Sequence, residues 1–85
     1  MQEIRELLKN FEKIQIDHVS SEKYGSNQND YYYFWYKDLC GSLRVVHDGE
    51  YIFSATLDIP DKNIQTLDTN TKLEKLAKKF INIKF

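Results

Sequence analysis

Two segments of the chain repeat apolar residues with the spacing of a helix. Near the start, apolar positions recur at intervals of three and four residues, which places them on one helix face. We therefore expect a helix over residues 2–15. The same spacing returns over residues 71–81, where Thr71 and Glu74 match a capping box and predict a second helix. The apolar positions are Ile4, Leu7, Leu8, Phe11 and Ile14 in the first segment, and Leu73, Leu76, Ala77, Phe80 and Ile81 in the second.

Between these segments the pattern changes to that of β-strands, beginning with six consecutive aromatic residues from Tyr31 to Tyr36. Strands are predicted at 31–37, 42–47 and 50–57. Asp48 and Gly49 give a strong signal for a two-residue hairpin turn, and residues 38–41 are interpreted as the preceding hairpin loop. The order helix, three-stranded antiparallel meander, helix (αβββα) predicts one two-layer α+β domain over residues 1–85.

Residue composition also indicates the structure of the segments on either side of the predicted meander. Residues 20–30 are predicted to be a long loop, because Ser, Asn, Asp and Gly favour turns and irregular backbone. Pro60 is expected to end the meander, since proline cannot donate a hydrogen bond to a strand ladder. Residues 61–68 stay open between a helical turn and an extended segment.

The predicted hairpins divide the meander into two faces, of which we expect the more apolar to lie beneath the helices. The expected core face holds Tyr31, Tyr33, Trp35, Arg44, Val46, Tyr51, Phe53, Ala55 and Leu57. The expected free face holds Tyr32, Phe34, Tyr36, Leu43, Val45, His47, Glu50, Ile52, Ser54 and Thr56. Trp35 is expected to face Arg44 in a cation–π pair.

An exposed face that mixes aromatic and polar residues is typical of a contact surface, and tyrosine is enriched at interfaces. The predicted partner-binding residues are Tyr32, Phe34, Tyr36, His47, Asp48 and Glu50. Two alternatives remain open for the three aromatic residues of this set. They could complete the packing of a small sheet, or they could stack on nucleic-acid bases.

The net charge of −1 over 85 residues argues against a dedicated nucleic-acid binder, because such domains are usually basic. The charge is uneven, however: residues 1–61 hold 6 basic and 11 acidic residues, and residues 62–85 hold 6 basic and 2 acidic. Lysines in the last turns of a helix suit its dipole. Their alternative role is contact with nucleic-acid phosphates. The lysines concerned are Lys72, Lys75, Lys78 and Lys79.

The residues needed for most catalytic and metal sites are scarce. One cysteine and two histidines cannot form a zinc site of the usual composition. Cys40 and His47 are expected about 20 Å apart along a strand, too far for a nucleophile and its base. A site of His18, His47 and a carboxylate is conceivable only if the fold brings them together. We therefore predict that the protein is not an enzyme and holds no metal or cofactor.

The same composition suggests a location in the cell. A single cysteine allows no intramolecular disulfide, and no apolar run approaches the roughly 20 residues that span a bilayer. The N-terminal residues lack the apolar core of a signal peptide. We expect a cytoplasmic protein without a membrane span. The richness in Asn, Lys and Ile suggests a bacterial or phage origin.

The expected function is that of a small non-enzymatic protein-binding module, of the inhibitor or immunity type, which occludes a partner protein through an aromatic sheet face. Such modules are often encoded by phages or mobile elements. The alternatives are a nucleic-acid-binding domain that uses the lysines of the C-terminal helix, and a homodimeric structural or adaptor protein.

Overall fold

A computed structural model of the protein describes residues 2–62, 64–67 and 71–83, with the backbone alone for residues 64–67, 71 and 72. Five antiparallel strands lie side by side in chain order, and two helices pack on one face of the sheet. The elements are α1 (Gln2–Lys9), β1 (Gln15–Tyr24), β2 (Asn27–Tyr36), β3 (Leu39–Asp48), β4 (Tyr51–Ile59), β5 (Ile64–Leu67) and α2 (Thr71–Ile81). Short 3₁₀ turns at Phe11–Lys13 and Pro60–Lys62 follow α1 and β4.

The α+β class, with an antiparallel sheet and two helices, agrees with the prediction. The sheet has five strands, however, where three were predicted. The three predicted strands correspond to β2, β3 and β4, and each begins or ends one to four residues from its predicted limits. Strands β1 and β5 extend the sheet on either side. Helix α2 has the predicted bounds, whereas the side chain of Thr71, on which the capping box depends, lies outside the described residues.

The prediction of a loop over residues 20–30 was wrong. These residues form the end of β1 and the start of β2, joined at the two-residue turn of Gly25 and Ser26. The side chains of β1 are almost all exposed, so the polar residues of this strand are not desolvated in the hairpin. Backbone pairing, which is independent of side-chain polarity, therefore overrode the local preference for a loop.

The N-terminal helix ends sooner than the predicted limit at residue 15. The Asn10 side chain donates from Nδ2 to the Glu6 carbonyl oxygen at 3.0 Å, and the Asn10 backbone N–H donates to the same oxygen at 3.1 Å. Asparagine competes in this way with regular helical bonding and favours helix ends. After one 3₁₀ turn, Ile14 is extended with ψ of 134° and leads into β1.

The hairpin turns differ from those predicted. The loop between β2 and β3 has two residues, Lys37 and Asp38, where four were expected. The turn between β3 and β4 is formed by Gly49 and Glu50, one residue later than expected, because Asp48 pairs with Tyr51. Gly49 has φ of 56°, the positive value that both primed hairpin turns require at their first central residue.

The assignment of the two faces was inverted in β2 and β3, because a β-bulge in β4 was missed. Phe53 has no partner on β3, since His47 pairs with Ile52 and Val46 with Ser54. One extra residue shifts every later side chain of the strand to the other face. Ala55 and Leu57 consequently join the set that was expected to be free and make it the more apolar one.

The core lies between this inner face and the helices. Phe80 of α2 packs edge-on against Tyr32 and Phe34, with ring centroids 5.3 and 6.0 Å apart, and against Phe11 at 5.5 Å. The fully buried residues Leu43, Val45, Leu57, Ile59, Ile4, Leu7, Leu73 and Leu76 surround these rings. Large rings therefore supply much of the buried area of a small domain.

Candidate functional site

Four of the six predicted partner-binding residues lie in the core. Tyr32, Phe34, Tyr36 and His47 expose 2%, 0%, 7% and 7% of their surface, and their side chains face the helices. The prediction of a free surface at these positions was wrong. The alternative that the three aromatic residues complete the packing of the sheet agrees with their burial. The remaining two residues, Asp48 and Glu50, are exposed near the turn between β3 and β4.

A different set of aromatic side chains lies on the opposite face of the sheet, which we call the outer face. Its aromatic members are Tyr31, Tyr33, Trp35, Tyr51 and Phe53. Four of these side chains are substantially exposed: Tyr33 at 44%, Trp35 at 39%, Tyr51 at 66% and Phe53 at 48%. The rings form two edge-to-face pairs, Tyr31 with Tyr33 at 5.4 Å and Tyr51 with Phe53 at 4.9 Å. Exposed aromatic area of this extent usually marks a contact surface.

Arg44 lies in the middle of the outer face. Its guanidinium carbon is 4.8 Å from the ring centroid of Tyr31, the residue directly opposite on β2. The expected pairing of Arg44 with Trp35 was therefore wrong, because the two-residue turn places Cys40 opposite Trp35. A side-chain hydrogen bond with Tyr31 raises the pKa of the neighbouring Tyr33 hydroxyl above its usual value, so the hydroxyl stays neutral.

A cleft of about 370 Å³ opens at one end of the outer face. Tyr31, Tyr33 and Trp35 are among its lining residues, and so are two acidic residues, Asp58 and Asp61. The remaining lining residues are Cys40, Gly41, Ser42 and Pro60. The volume is within the range of about 300–1,000 Å³ of sites that bind small ligands.

Acidic residues occupy several other positions of the outer face. Asp17 pairs with Tyr33 across β1 and β2, Asp58 pairs with Ser42, and Asp48 pairs with Tyr51. Arg44 is the cationic side chain of this face within the strands whose side chains are described. The aromatic surface therefore lies in a field that favours positively charged partners.

A polar cluster around Asp30 lies at the edge of the inner face. His47 Nε2 is 2.7 Å from Asp30 Oδ2, and His18 Nε2 is 3.5 Å from Asp30 Oδ1. Gln28 Nε2 donates to both carboxylate oxygens at 2.9 and 3.0 Å, and the Tyr32 hydroxyl donates to Oδ2 at 3.4 Å. The fold thus unites the two histidines with a carboxylate, which is the condition expected for a site of His18, His47 and a carboxylate.

The electrostatics of the cluster favour an ionised Asp30. Burial alone would raise the pKa of Asp30, but hydrogen bonds from Ser21, Gln28 and His47 together outweigh burial and hold that pKa below its usual value. Burial and the Asp30 charge also raise the pKa of Tyr32, so its hydroxyl remains a donor. His47 Nδ1 is 2.8 Å from the Gly49 carbonyl oxygen, so both ring nitrogens of His47 have an oxygen partner.

This cluster is organised as a structural network. Because the histidine nitrogens and the Gln28 amide point at the carboxylate, they satisfy a buried charge that would otherwise be costly. Over residues 2–62, 64–67 and 71–83, no group of three or more His, Cys, Asp or Glu is arranged to hold a metal ion. Cys40 and His47 lie on opposite faces of β3, the former exposed and the latter buried.

The predicted nucleic-acid contacts lie in the helical layer. Lys75, Lys78 and Lys79 are exposed on α2, and the side chain of Lys72 lies outside the described residues. Lys78 Nζ is 3.5 Å from Glu74 Oε1, and Lys79 Nζ is 5.5 Å from the Phe11 ring centroid. These lysines are separated from the aromatic outer face by the thickness of the sheet.

No protein-family model, curated protein or solved structure matches the chain. In the described part of the chain, neither helix has the length and apolar character needed to cross a membrane.

The outer face could have been found from the alternation of residues in β2. In a strand, residues two positions apart share a face, so Tyr31, Tyr33 and Trp35 form one set whichever side is covered. The alternation identifies this set, but the expectation that it lies in the core was wrong. Asp30 was missed because it was assigned to a loop, although the same alternation places it with Tyr32.

Proposed function

We propose that this chain is a small non-enzymatic protein-binding module, of the inhibitor or immunity type, that occludes a partner protein with its outer face. The observation that carries the proposal is the aromatic surface on the side of the sheet away from the helices. Tyr33, Trp35, Tyr51 and Phe53 each expose more than a third of their surface there. The core buries other aromatic rings of the same chain, so the exposure of these four supports a contact surface.

The residue types of the outer face are those that dominate protein interfaces. Trp, Tyr and Arg are the most frequent energetic hot spots, because they combine large contact area with a polar group and few rotatable bonds. Tyr31 and Arg44 already hold each other in a cation–π contact. Less side-chain freedom is then lost on binding, which favours affinity.

Charge indicates the class of partner. Asp17, Asp48 and Asp58 surround a single arginine on the described strands of the outer face. Nucleic-acid phosphates would be repelled by these carboxylates, and the lysines of α2 are on the other layer. The arrangement favours a protein partner with a basic surface over nucleic acid and over a second copy of the same acidic face.

The experiment compares capture by matched variants. Tagged wild type, Tyr33→Thr/Trp35→Thr and Lys75→Ser/Lys78→Ser are incubated with lysate, with and without nuclease treatment, and bound proteins are identified by mass spectrometry. Threonine keeps the strand propensity while it removes the rings. We expect one stoichiometric protein that the first variant loses and the second retains.

Three outcomes would contradict the proposal. Loss of capture with the lysine variant alone would move the site to α2. Material that disappears on nuclease treatment would indicate nucleic acid, and capture of the chain's own untagged copy alone would indicate a homodimer. Circular dichroism of both variants shows whether each is folded, so that a lost partner reports on the surface.

A further inference from the structure

The cleft at the end of the outer face has walls suited to a cation. Tyr33 and Trp35 line it together with Tyr31, and aromatic rings carry a negative electrostatic potential on their faces. Ammonium and guanidinium groups bind over such faces, most strongly over tryptophan. The site is therefore selective in principle for positive charge over a neutral group of the same size.

The charged groups at the cleft have the same preference. Asp58, half-buried at the end of β4, and Asp61, exposed in the following turn, both line it. None of the lining residues that the structure describes is a lysine or arginine. The nearby Lys62 contacts Asp38, with Nζ 3.4 Å from Oδ2. Asp58 and Asp61 therefore place two negative charges near the aromatic walls, which favours a positively charged group over a neutral one.

The protein itself supplies an example of the contact. The guanidinium carbon of Arg44 lies 4.8 Å from the ring centroid of Tyr31. Tyr31 is at the end of the outer-face row of Tyr31, Tyr33 and Trp35 that is further from Trp35. This shows that the row accommodates a planar cation within the usual cation–π distance of about 6 Å. Because Trp35 is four residue pairs further along the sheet from Arg44, the cleft offers separate rings for a second cation.

From this geometry we propose that the cleft binds one basic side chain, arginine or lysine, of the protein partner. The inference rests on the proposed function and adds the chemistry of the residue that enters. The volume of about 370 Å³ suits a single side chain, while the remaining outer face contacts the surrounding surface of the partner. A basic anchor residue in a desolvated pocket is a common form of interface hot spot.

The cleft contains its own reporter, since Cys40 lines it and is the only cysteine of the chain. The protein is equilibrated with an equimolar mixture of cystamine, which is cationic, and bis(2-hydroxyethyl) disulfide, which is neutral. The Cys40 thiolate attacks one sulfur of a disulfide, forms a mixed disulfide and releases the other half as a thiol. Intact mass then gives the ratio of the two adducts.

We expect the wild type to favour the cationic adduct by about threefold or more, relative to a short unstructured cysteine peptide. Asp58→Asn/Asp61→Asn should reduce this ratio to about that of the peptide. The matched control is Asp48→Asn/Asp17→Asn, which changes the net charge equally on the same face but outside the cleft. Its ratio should stay within about twofold of wild type.

Equal capture of the two probes by the wild type would overturn the proposal. A preference that survives in Asp58→Asn/Asp61→Asn, or that falls equally in the control variant, would also overturn it, because the cause would then be net charge. These failures leave the capture experiment on Tyr33 and Trp35 unaffected, so a wrong cation site and a wrong outer face are distinguishable. Cystamine and its guanidino disulfide analogue, compared in the same assay, separate a lysine-like from an arginine-like preference.

Discussion

Strand β2 presents three aromatic residues to each face of the sheet, and the two sets have opposite environments. Tyr32, Phe34 and Tyr36 are buried against the helices, whereas Tyr33 and Trp35 are exposed on the outer face. The residue types are nearly the same in the two sets. Aromatic content therefore does not decide which side of a strand becomes core and which becomes a contact surface.

The neighbouring strands decide the difference. On the inner face, the rings of β2 lie beside Leu43 and Val45 of β3, which continue to Leu57 and Ala55 of β4. On the outer face, the corresponding positions of β3 and β4 are mostly polar and include Ser42, Arg44, Thr56 and Asp58. A ring is buried where the adjacent strands also offer apolar surface, because burial of polar neighbours is costly.

The largest expected effect contrasts adjacent residues of β2. Phe34→Ala should destabilise the protein by about 3–5 kcal/mol, because it leaves a cavity under α2. Tyr33→Ala should cost no more than about 1 kcal/mol, since the side chain is exposed. Urea denaturation followed by Trp35 fluorescence measures both, with Phe34→Leu as a milder variant that remains folded. Equal losses at the two positions would contradict the assignment of faces.

The second contrast concerns two aspartates of the same hairpin. Asp30→Asn should destabilise by about 1.5–3 kcal/mol, because it removes charge-assisted hydrogen bonds with His47 and presents an amide to donors. Asp17→Asn, on the exposed side of β1, should change stability by less than about 0.5 kcal/mol. Thermal unfolding of the two variants tests this. A neutral Asp30→Asn would show that the buried network is not stabilising.

The third contrast is between neighbours on β3. A methyl group at Gly41 would collide with the carbonyl oxygen of Asp58 and lie 3.0 Å from the Phe34 ring. Gly41→Ala should therefore destabilise by about 1–3 kcal/mol, as overpacked sites do. Ser42→Ala, which changes an outer-face position, should stay within about 0.5 kcal/mol. Chemical denaturation that finds Gly41→Ala as stable as wild type would exclude this close approach.

The dependence of stability on acidic pH tests the hydrogen-bond network of Asp30 with a smaller expected effect. The pKa of Asp30 is lower in the folded state than its usual value of 3.8, so its ionisation stabilises the fold above that pH. This contribution is lost as the pH falls through the folded pKa. We expect denaturation midpoints to fall more steeply below about pH 4 in wild type than in Asp30→Asn. Parallel curves for the two proteins would contradict the low pKa.

The smallest expected effect concerns the turn between β2 and β3. Lys37 has φ of 53°, a conformation that costs energy in residues other than glycine. Lys37→Gly should stabilise the protein by about 0.5–1 kcal/mol, net of the greater flexibility of glycine in the unfolded chain. Asp38→Gly, at a position without positive φ, should instead destabilise. A thermal melt that ranks these two variants in reverse order would disprove the strained turn.

The sequence was informative wherever a local pattern coincided with a tertiary requirement. The apolar spacing of α2 predicted its bounds, and the signal at Asp48 and Gly49 identified the hairpin to within one residue. In α1, the helical face was predicted well, because Ile4 and Leu7 are buried, while the helix end at Asn10 depended on one side-chain hydrogen bond.

The faces of the sheet could not be predicted because they depend on one bulged residue. Without the bulge at Phe53, Ala55 and Leu57 would belong to the outer set and make it the more apolar one. A bulge has little signature in a single sequence, yet it changes the face of every residue beyond it. The polar end of β1, within residues 20–30, was predicted as a loop for a related reason, since its partner on β2 rather than its own composition determines its structure.

The central claim, that the outer face is the surface that binds a protein, is tested most directly by site-specific photo-crosslinking. A benzophenone amino acid replaces Tyr33 on the outer face in one protein and Lys75 on α2 in another, and both are irradiated in nuclease-treated lysate. We predict one discrete protein adduct from position 33, of a mass other than twice that of the chain, and none from position 75. An adduct from position 75 alone, or at twice the chain mass from position 33, would contradict the claim.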